Sequence, residues 1–152
     1  MDLAIRQSAS SFGSGVKAEV LFQQDIIAVC APSLIAGNPL PLDDDQLLAL
    51  PLLHDSGTSW ASFLGDPALA DRLRGPNLGR VGLCLDAAMA GQGIALASRF
   101  LVTRELSDGR LVQPTACSMR GPQTYYLLSR HRNPERPAVG ALHQWILGQR
   151  ET

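Results

Sequence analysis

The chain has 152 residues, of which 45% are hydrophobic, 18% charged and 5% aromatic, and its formal net charge is −1 at pH 7. This is the profile of a soluble globular protein that forms one domain or two small lobes. Its 13 Lys and Arg residues form no basic run, which argues against a free-standing nucleic-acid-binding domain.

The first part of the chain predicts two extended segments and a capped helix. Residues 3–6 predict a short buried strand. Residues 19–31 predict a long extended stretch whose apolar pattern breaks at 23–25, where a bend or a crossing between lobes is expected. Asp43 is predicted to cap a helix and to form a capping box with Gln46, and a proline ends that helix.

The second part centres on an alanine-rich helix at 83–90 that stops at a glycine. Gly91 is expected in the left-handed conformation after this helix, and Gly93 is expected to let the backbone approach a neighbour closely. The other predicted elements are a strand at 51–55, a helix at 60–64 capped by Ser59 or Thr58, a loop at 65–77, a strand at 93–97, a helix at 99–106, a strand at 110–113, a loop at 116–122, a strand at 123–129, and a last helix with Asn133 as cap and Pro134 at its first position. This alternation predicts an α/β fold with a largely parallel sheet.

Several patterns argue against particular classes of site and location. The cysteines are far apart with no C-x-x-C pair, and the histidines share no ligand spacing, so we expect no metal site and three buried or half-buried thiols. His143, on the last helix, is expected at the surface. The chain start lacks the pattern of a signal peptide, and no apolar run approaches the ~18 residues of a membrane span, so a cytoplasmic location without membrane contact is expected.

Two short motifs suggest catalysis or cofactor binding only superficially. The glycines of Gly91-Gln92-Gly93 follow a helix and precede a strand, which is the reverse of the dinucleotide-binding order, so no cofactor is expected. His54-Asp55-Ser56 contains the residue types of a catalytic triad. Adjacent residues at one strand end point in different directions, whereas a triad must converge, so a small serine hydrolase stays an alternative and no catalytic residue is assigned.

Ligand recognition accounts better for these polar groups. Small molecules bind beyond the carboxyl ends of strands in α/β sheets, and Arg6-Gln7-Ser8, His54-Asp55-Ser56 and Ser98-Arg99 each follow a predicted strand. Either Arg6 or Arg99 is a candidate for a bidentate bond to a carboxylate, with a surface ion pair as the alternative. Ser98 is a candidate N-cap of the following helix, whose N–H groups would then face an anion.

In order and spacing, the chain resembles the effector-binding region of LysR-type transcriptional regulators, most closely the glycine-cleavage-activator-like subgroup. No single motif is specific, but the ordered set spans nearly the whole chain. The matching segments are Asp2–Arg6, Leu21–Leu34, Pro51–Asp55, Ala88–Leu96, Leu106–Val112, Tyr125–Leu128 and Val139–Leu147.

The resemblance implies a fold of the periplasmic-binding-protein type II kind, with one complete lobe and one incomplete lobe. Residues 1–23 and 115–152 would form the partial first lobe, and residues 24–114 the second lobe. The family's winged helix-turn-helix and the opening part of the first lobe are expected to be absent, so the chain itself would not contact DNA. The implied function is small-molecule sensing without catalysis. A periplasmic-type solute-binding protein, which shares the fold, is the further alternative.

The resemblance also adds residues to the candidate site. Relatives place small hydroxyl residues facing the cleft where this chain has Val81 and Gly82, so a less polar effector, or one held by backbone groups, is expected. The full candidate effector-binding set is Arg6, Gln7, Ser8, His54, Asp55, Ser56, Val81, Gly82, Gly93, Ile94, Ser98 and Arg99. The expected effector is an amino acid or a small carboxylate. Apolar faces near 2–6, 124–129 and 138–147 would lack their partners, which predicts a homodimer or a strand exchange.

Overall fold

The computed structural model describes residues 2–73, 75–130 and 136–150. The chain divides into two compact units: residues 1–24 with 120–152 form unit 1, and residues 25–119 form unit 2. Interpreting these units as the two lobes proposed from the sequence, at 1–23 with 115–152 and at 24–114, stays a prediction.

The strands and α-helices follow one another in the order β1 (Leu3–Ser8), β2 (Val16–Val29), α1 (Asp44–Leu48), β3 (His54–Asp55), α2 (Trp60–Phe63), β4 (Asn77–Gly79), α3 (Val81–Met89), β5 (Ala95–Ser98), α4 (Thr103–Ser107), β6 (Ser118–Arg130) and α5 (Pro137–Gly148). Short 3-10 helices lie at Pro32–Ile35, Pro67–Leu69 and Arg99–Leu101. None of the helices in these ranges has the length and apolar character needed to cross a bilayer.

Unit 1 is built on an antiparallel arrangement of β1 and β6. The two strands pair from Leu3 opposite Ser129 to Ser8 opposite Thr124, and β2 neighbours β6 on its other side. A Cβ at Gly121 would lie 2.5 Å from Cβ of Gln24, so a glycine is required where these two strands approach.

The last helix, α5, begins at Pro137, with Arg136 as its N-cap. The predicted cap Asn133, the predicted first position Pro134, and His131 lie outside the described residues. The expectation that His143 is a surface residue is wrong, since its side chain is 16% exposed and its Nε2 lies 2.6 Å from Oε2 of Glu19. Burial raises the pKa of Glu19, but hydrogen bonds with His143 and Lys17 outweigh that effect and hold the pKa below its ordinary value.

Unit 2 has its core on both faces of the end of β2. Residues 26–29 pair antiparallel with β5, from Ile26 opposite Ser98 to Val29 opposite Ala95. Alternate side chains point to opposite faces, so two clusters form. One contains Ile26, Ala28, Cys30, Leu47, Trp60, Phe63, Ile94 and Leu96. The other contains Ile27, Val29, Cys84, Ala88, Ala95, Ala97, Val102 and Leu111.

The prediction of a largely parallel sheet is wrong. Two long pairings, β1 with β6 and β2 with β5, are antiparallel. Parallel pairing joins β3 to β4 and forms a bridge between Leu52 and Ile94. The alternation of helix and strand suggested crossover connections throughout, but the long strands β2 and β6 contribute residues to both units and take antiparallel partners.

Several element boundaries also differ from the prediction. The helix expected at 99–106 is a 3-10 turn followed by α4, and the fully buried Val102 lies between them with φ −117° and ψ 9°. The strand expected at 110–113 is reduced to a bridge between Val112 and Cys30. The expected loops at 65–77 and 116–122 contain the starts of β4 and β6. The thiols of Cys30 and Cys84 are buried, whereas Cys117 is exposed, contrary to expectation.

The capping box predicted at α1 is confirmed. Asp43 Oδ1 accepts a hydrogen bond from the backbone N–H of Gln46 at 2.8 Å, and Oε1 of Gln46 accepts one from the N–H of Asp43 at 3.0 Å. We expect Asp43→Ala to lower the free energy of unfolding by about 1 kcal/mol, because the backbone N–H of Gln46 loses its acceptor. Chemical denaturation followed by circular dichroism measures the loss. Asp44→Ala, one residue later, is the matched control; an equal loss there would contradict the capping role.

Candidate site at the strand ends of unit 2

The carboxyl ends of three neighbouring strand segments meet at one edge of unit 2. β3 runs parallel to β4, with His54 opposite Asn77, and the parallel bridge between Leu52 and Ile94 places β5 beside β3. Because parallel strands end at the same edge, the segments that follow them begin close together. These segments are the loop at 56–59, the start of α3, and the 3-10 turn at Arg99.

Asp55 organises the first of these segments. Its Oδ1 accepts hydrogen bonds from the backbone N–H groups of Gly57 at 2.9 Å and Thr58 at 2.7 Å. The loop then enters α2, where Ser59 caps the helix by accepting from the N–H of Ser62, as expected. Asp55 therefore shapes the loop, and one carboxylate oxygen is already committed to the backbone.

The ring of His54 is held tightly beside this loop. The backbone of His54 is fixed on both sides. Its carbonyl oxygen accepts a hydrogen bond from the thiol of Cys84 at 3.4 Å, and its N–H donates to the carbonyl of Pro76 at 3.0 Å. The ring packs against Gly75, where a Cβ would come within 3.1 Å of Nε2. Nε2 is buried and has no hydrogen-bond partner among the described residues. This unsatisfied nitrogen is unusual in a folded protein.

A cavity of about 480 Å³ lies against the loop. Its lining is mostly polar and includes His54, Asp55, Ser56, Thr58, Ser59 and Asn77. A volume of this size suits a small metabolite, and hydroxyl and amide groups offer both donors and acceptors. The sequence pointed to the first three residues as ligand contacts, and to Thr58 and Ser59 only as helix caps. Asn77 was missed because its segment was interpreted as a loop rather than as the start of a strand.

The start of α3 contributes backbone groups to the same edge. Val81 and Gly82 occupy its first turn, and the N-cap residue Arg80 makes no side-chain cap hydrogen bond. A Cβ at Gly82 would meet nothing within 4 Å, so open space lies beside this turn. The predicted left-handed Gly91 at the other end of the helix is confirmed by its φ of 75°.

Gly93 and Ile94 lie in the core rather than at an open surface. Ile94 is fully buried, and its backbone exchanges hydrogen bonds with Pro51 and Leu53, each 2.8 Å long. A Cβ at Gly93 would lie 2.7 Å from the carbonyl oxygen of Pro51, so the predicted close approach is confirmed. The structure gives both residues a packing role, and their contact with an effector stays a prediction.

Ser98 does not act as the predicted N-cap. Its side chain makes no cap hydrogen bond to the turn at Arg99–Leu101. It is 3% exposed, and its Oγ has no hydrogen-bond partner among the described residues. A three-residue 3-10 turn offers fewer N–H groups to a cap than the α-helix expected here. The segment after β5 is therefore a 3-10 turn and not the N-terminus of an α-helix.

Arg99 forms an exposed ion pair. Its Nε donates to Oδ2 of Asp25 at 2.7 Å, and both side chains are nearly half exposed. For this arginine the structure therefore shows the surface ion pair, which was the alternative to carboxylate binding in the sequence analysis. Arg99 also lines an open hollow that includes Gln113 and Thr115. The pair therefore positions the guanidinium beside this hollow, whose lining is more apolar than polar.

The remaining predicted residues lie on the other unit. Arg6, Gln7 and Ser8 form the end of β1 in unit 1, where the first two are exposed and Oγ of Ser8 donates to the carbonyl of Ser10 at 3.0 Å. The structure thus groups nine predicted residues in unit 2 and three in unit 1. Among the residues that the structure describes, no group of three or more His, Cys, Asp or Glu side chains could hold a metal ion.

Burial raises the pKa of both core thiols. The pKa of Cys30 rises to about 11, and the pKa of Cys84 rises through burial and through the charge of nearby Asp55. Both thiols therefore remain protonated near neutral pH and act as packing groups.

Comparison with known proteins agrees with the fold and extends over nearly the whole chain. A family model described as LysR substrate binding domain matches residues 1–151. The glycine cleavage system transcriptional activator of Escherichia coli (strain K12) is 32% identical over 139 residues, which cover 89% of this chain and 45% of that protein. The transcriptional activator AmpR of Enterobacter cloacae is 28% identical over 151 residues, covering 97% of this chain and 50% of that protein.

Solved structures show the same similarity. The effector domain of AmpR of Pseudomonas aeruginosa matches with a TM-score of 0.75 and 26% identity, over 99% of this chain and 72% of that chain. The regulatory domain of AphB in Vibrio vulnificus shares the fold, with a TM-score of 0.70 and 19% identity over 97% of this chain and 75% of that chain. The chain spans about half the length of the curated relatives it matches. With residues 1–151 matched, the chain belongs to the LysR substrate-binding domain family.

Proposed function

We propose that the chain is the part of a LysR-type transcriptional regulator that binds a small-molecule effector. The observation that carries the proposal is the polar cavity beside the ends of β3 and β4 in a chain that matches this family over residues 1–151. The expected ligand is an amino acid or a small carboxylate. It would shift the regulator between two arrangements by binding one of them more tightly.

The proposed contacts come from the groups at the strand ends of unit 2. Arg99 carries the charge that suits a carboxylate, and the hydroxyls of the 56–59 loop suit an ammonium or hydroxyl group. The first turn of α3 supplies backbone N–H groups where relatives are expected to have small hydroxyl residues. Arg6, Gln7 and Ser8 of β1 stay in the proposed set.

The wider assembly is also a proposal. Contact with DNA would be made by a domain outside this chain, as expected of a transcriptional activator, and the place of action would then be the cytoplasm. We propose a homodimer and no catalytic activity.

The relatives reported above give no support to a solute-binding protein or a serine hydrolase. In the described ranges, Nε2 of His54 makes no hydrogen bond to a serine, which a triad needs.

A thermal-shift screen of amino acids and small carboxylates tests the proposed ligand class. A ligand at 100 times its dissociation constant adds about 2.7 kcal/mol to the free energy of unfolding. For a chain of this size, that corresponds to a rise in Tm of roughly 5–10 °C. A panel in which no compound raises Tm would contradict the ligand class.

Arginine variants test the proposed site. We expect Arg99→Ala to abolish the ligand-dependent rise in Tm, because the guanidinium at the strand end is lost. Arg104→Ala is the matched control, since Arg104 is 85% exposed on α4 and pairs only with Asp108 among the residues described. Equal ligand responses from the two variants would remove Arg99 from the site.

A further inference from the structure

The polar cavity at the strand ends of unit 2 has an acidic lining. Among the residues that the structure describes, Asp55 lines it and no Lys or Arg does. Arg99, at the same edge, lies outside this lining and is already paired with Asp25 at 2.7 Å. Arg80, at the start of α3, lies outside it as well. The charged group that the cavity offers to a ligand is therefore a carboxylate.

The carboxylate of Asp55 is held in place with one oxygen available. Its Oδ1 accepts from the backbone N–H groups of Gly57 and Thr58, which fixes the orientation of the carboxylate. Its Oδ2 accepts no hydrogen bond from the described residues, and the side chain forms no ion pair with them. A ligand that donates to Oδ2 thus meets an acceptor whose ordering cost has already been met by the loop.

The surroundings keep the charge of Asp55 effective. The side chain is half-buried, and apolar groups of Trp60, Ala61 and Leu73 share the lining. Burial raises the pKa of the Cys84 thiol, and the negative charge of Asp55 raises it further, so this charge acts on groups beyond its own loop. Partly buried charges are screened less by salt than exposed ones. A cation in the cavity is therefore stabilised, and an anion placed beside Asp55 is repelled.

The other polar groups of the lining suit the two ends of an amino acid. An ammonium group has three N–H donors and no acceptor, so it needs oxygens such as Oδ2 of Asp55 and the hydroxyls of Ser56 and Thr58. The amide oxygen of Asn77 already accepts from the N–H of Gly79 at 2.9 Å. Its amide nitrogen is left as a donor, which a ligand carboxylate can use.

We propose that Oδ2 of Asp55 accepts a hydrogen bond from the ammonium group of the effector, so that the effector is an amino acid and a carboxylate without the amine binds weakly. The inference rests on the proposed function and narrows its ligand class from two kinds of compound to one. Asp55 then has two roles, since Oδ1 shapes the loop and Oδ2 selects the ligand.

Matched ligands test the need for the amine. Each amino acid is compared near neutral pH with the carboxylate that lacks its amine, such as alanine with propionate, valine with isovalerate and glutamate with glutarate. Thermal shift identifies the amino acid that binds, and calorimetry gives the two dissociation constants. We expect the deaminated and the N-acetylated forms to bind roughly 10- to 100-fold more weakly, because a charge-assisted hydrogen bond is lost.

Asp55→Asn tests the residue. The asparagine side chain retains an oxygen that can accept from Gly57 and Thr58, so the Tm without ligand should stay close to that of the unaltered protein. Its affinity for the amino acid should fall by the same factor, and it should no longer prefer the amino acid to the deaminated carboxylate. Asp66→Asn is the matched control, because exposed Asp66 accepts from the N–H of Ala68 at 3.0 Å in a similar turn outside the lining. This variant should retain the full preference.

Two results would overturn the role of Asp55: equal affinities for an amino acid and its deaminated carboxylate, or an Asp55→Asn variant that keeps the preference. In both cases a ligand still binds, and the proposed effector binding stands. A panel in which no compound binds would overturn the inference together with the ligand class of the proposed function. If Asp55→Asn does not fold, the matched ligands on the unaltered protein decide alone.

Discussion

Replacing Trp60 with alanine is expected to lower the free energy of unfolding by about 3–5 kcal/mol, the largest effect of any change considered for this chain. The side chain is 1% exposed and packs edge-to-face on Phe63, with the ring centroids 5.7 Å apart. Its Nε1 donates to the carbonyl oxygen of Leu53 at 2.9 Å. Alanine would leave a cavity and an unpaired carbonyl at the base of the candidate site.

Urea unfolding followed by circular dichroism measures this loss. Leu83→Ala is the control within the same unit, since Leu83 is 53% exposed on α3 and should change the free energy of unfolding by less than about 0.5 kcal/mol. Trp60→Phe separates the two contributions, because it retains most of the ring and removes the hydrogen bond. A loss below 1 kcal/mol for Trp60→Ala would contradict the central place of this side chain in the core.

Local sequence signals predicted the features that local chemistry determines. The capping box of Asp43 and Gln46, the left-handed Gly91 and the capping of α2 by Ser59 each depend on residues within a few positions of one another. Their hydrogen bonds and backbone angles require no information about distant segments. The family resemblance then supplied the fold class, which comparison over residues 1–151 supports.

Pairings between distant residues could not be obtained in this way. Arg99 meets Asp25 across 74 positions of sequence, and neither residue carries a signal for the other. The antiparallel pairing of β2 with β5, and of β6 with β1, likewise joins segments that are far apart in the sequence. Periodicity reports which face of a strand is apolar, but not which strand lies beside it.

In the candidate site, too, the residues marked by a local pattern were predicted, and those brought in by pairing between distant segments were not. His54, Asp55 and Ser56 were found because polar residues after an apolar strand are a local pattern. Asn77 joins them only through the parallel pairing of β3 with β4, a three-residue strand too short to stand out from its neighbours. The orphaned Nε2 of His54 depends on packing against Gly75, which no local pattern reports.

Gly93→Ala is expected to destabilise the chain by about 1–3 kcal/mol, because a methyl group would be forced into a closely packed core. The added Cβ would lie 2.7 Å from the carbonyl oxygen of Pro51 and 2.9 Å from Cγ of Leu53. Both atoms belong to the segment that leads into β3. Relief of the clash would move the segment away from β5 and weaken the hydrogen bond from the N–H of Ile94 to Pro51.

The control is another glycine of unit 2 with free space around it. Gly82 lies in the first turn of α3, where a Cβ meets nothing within 4 Å, so Gly82→Ala should raise the free energy of unfolding by up to about 1 kcal/mol. Urea unfolding of the two variants in parallel compares a glycine required by close approach with one that is replaceable. If Gly93→Ala were as stable as Gly82→Ala, the strand segments at 51–53 and 93–94 would have room to separate. Because the first of these segments leads directly into His54, the same result would mean that the floor of the candidate site is adjustable rather than fixed.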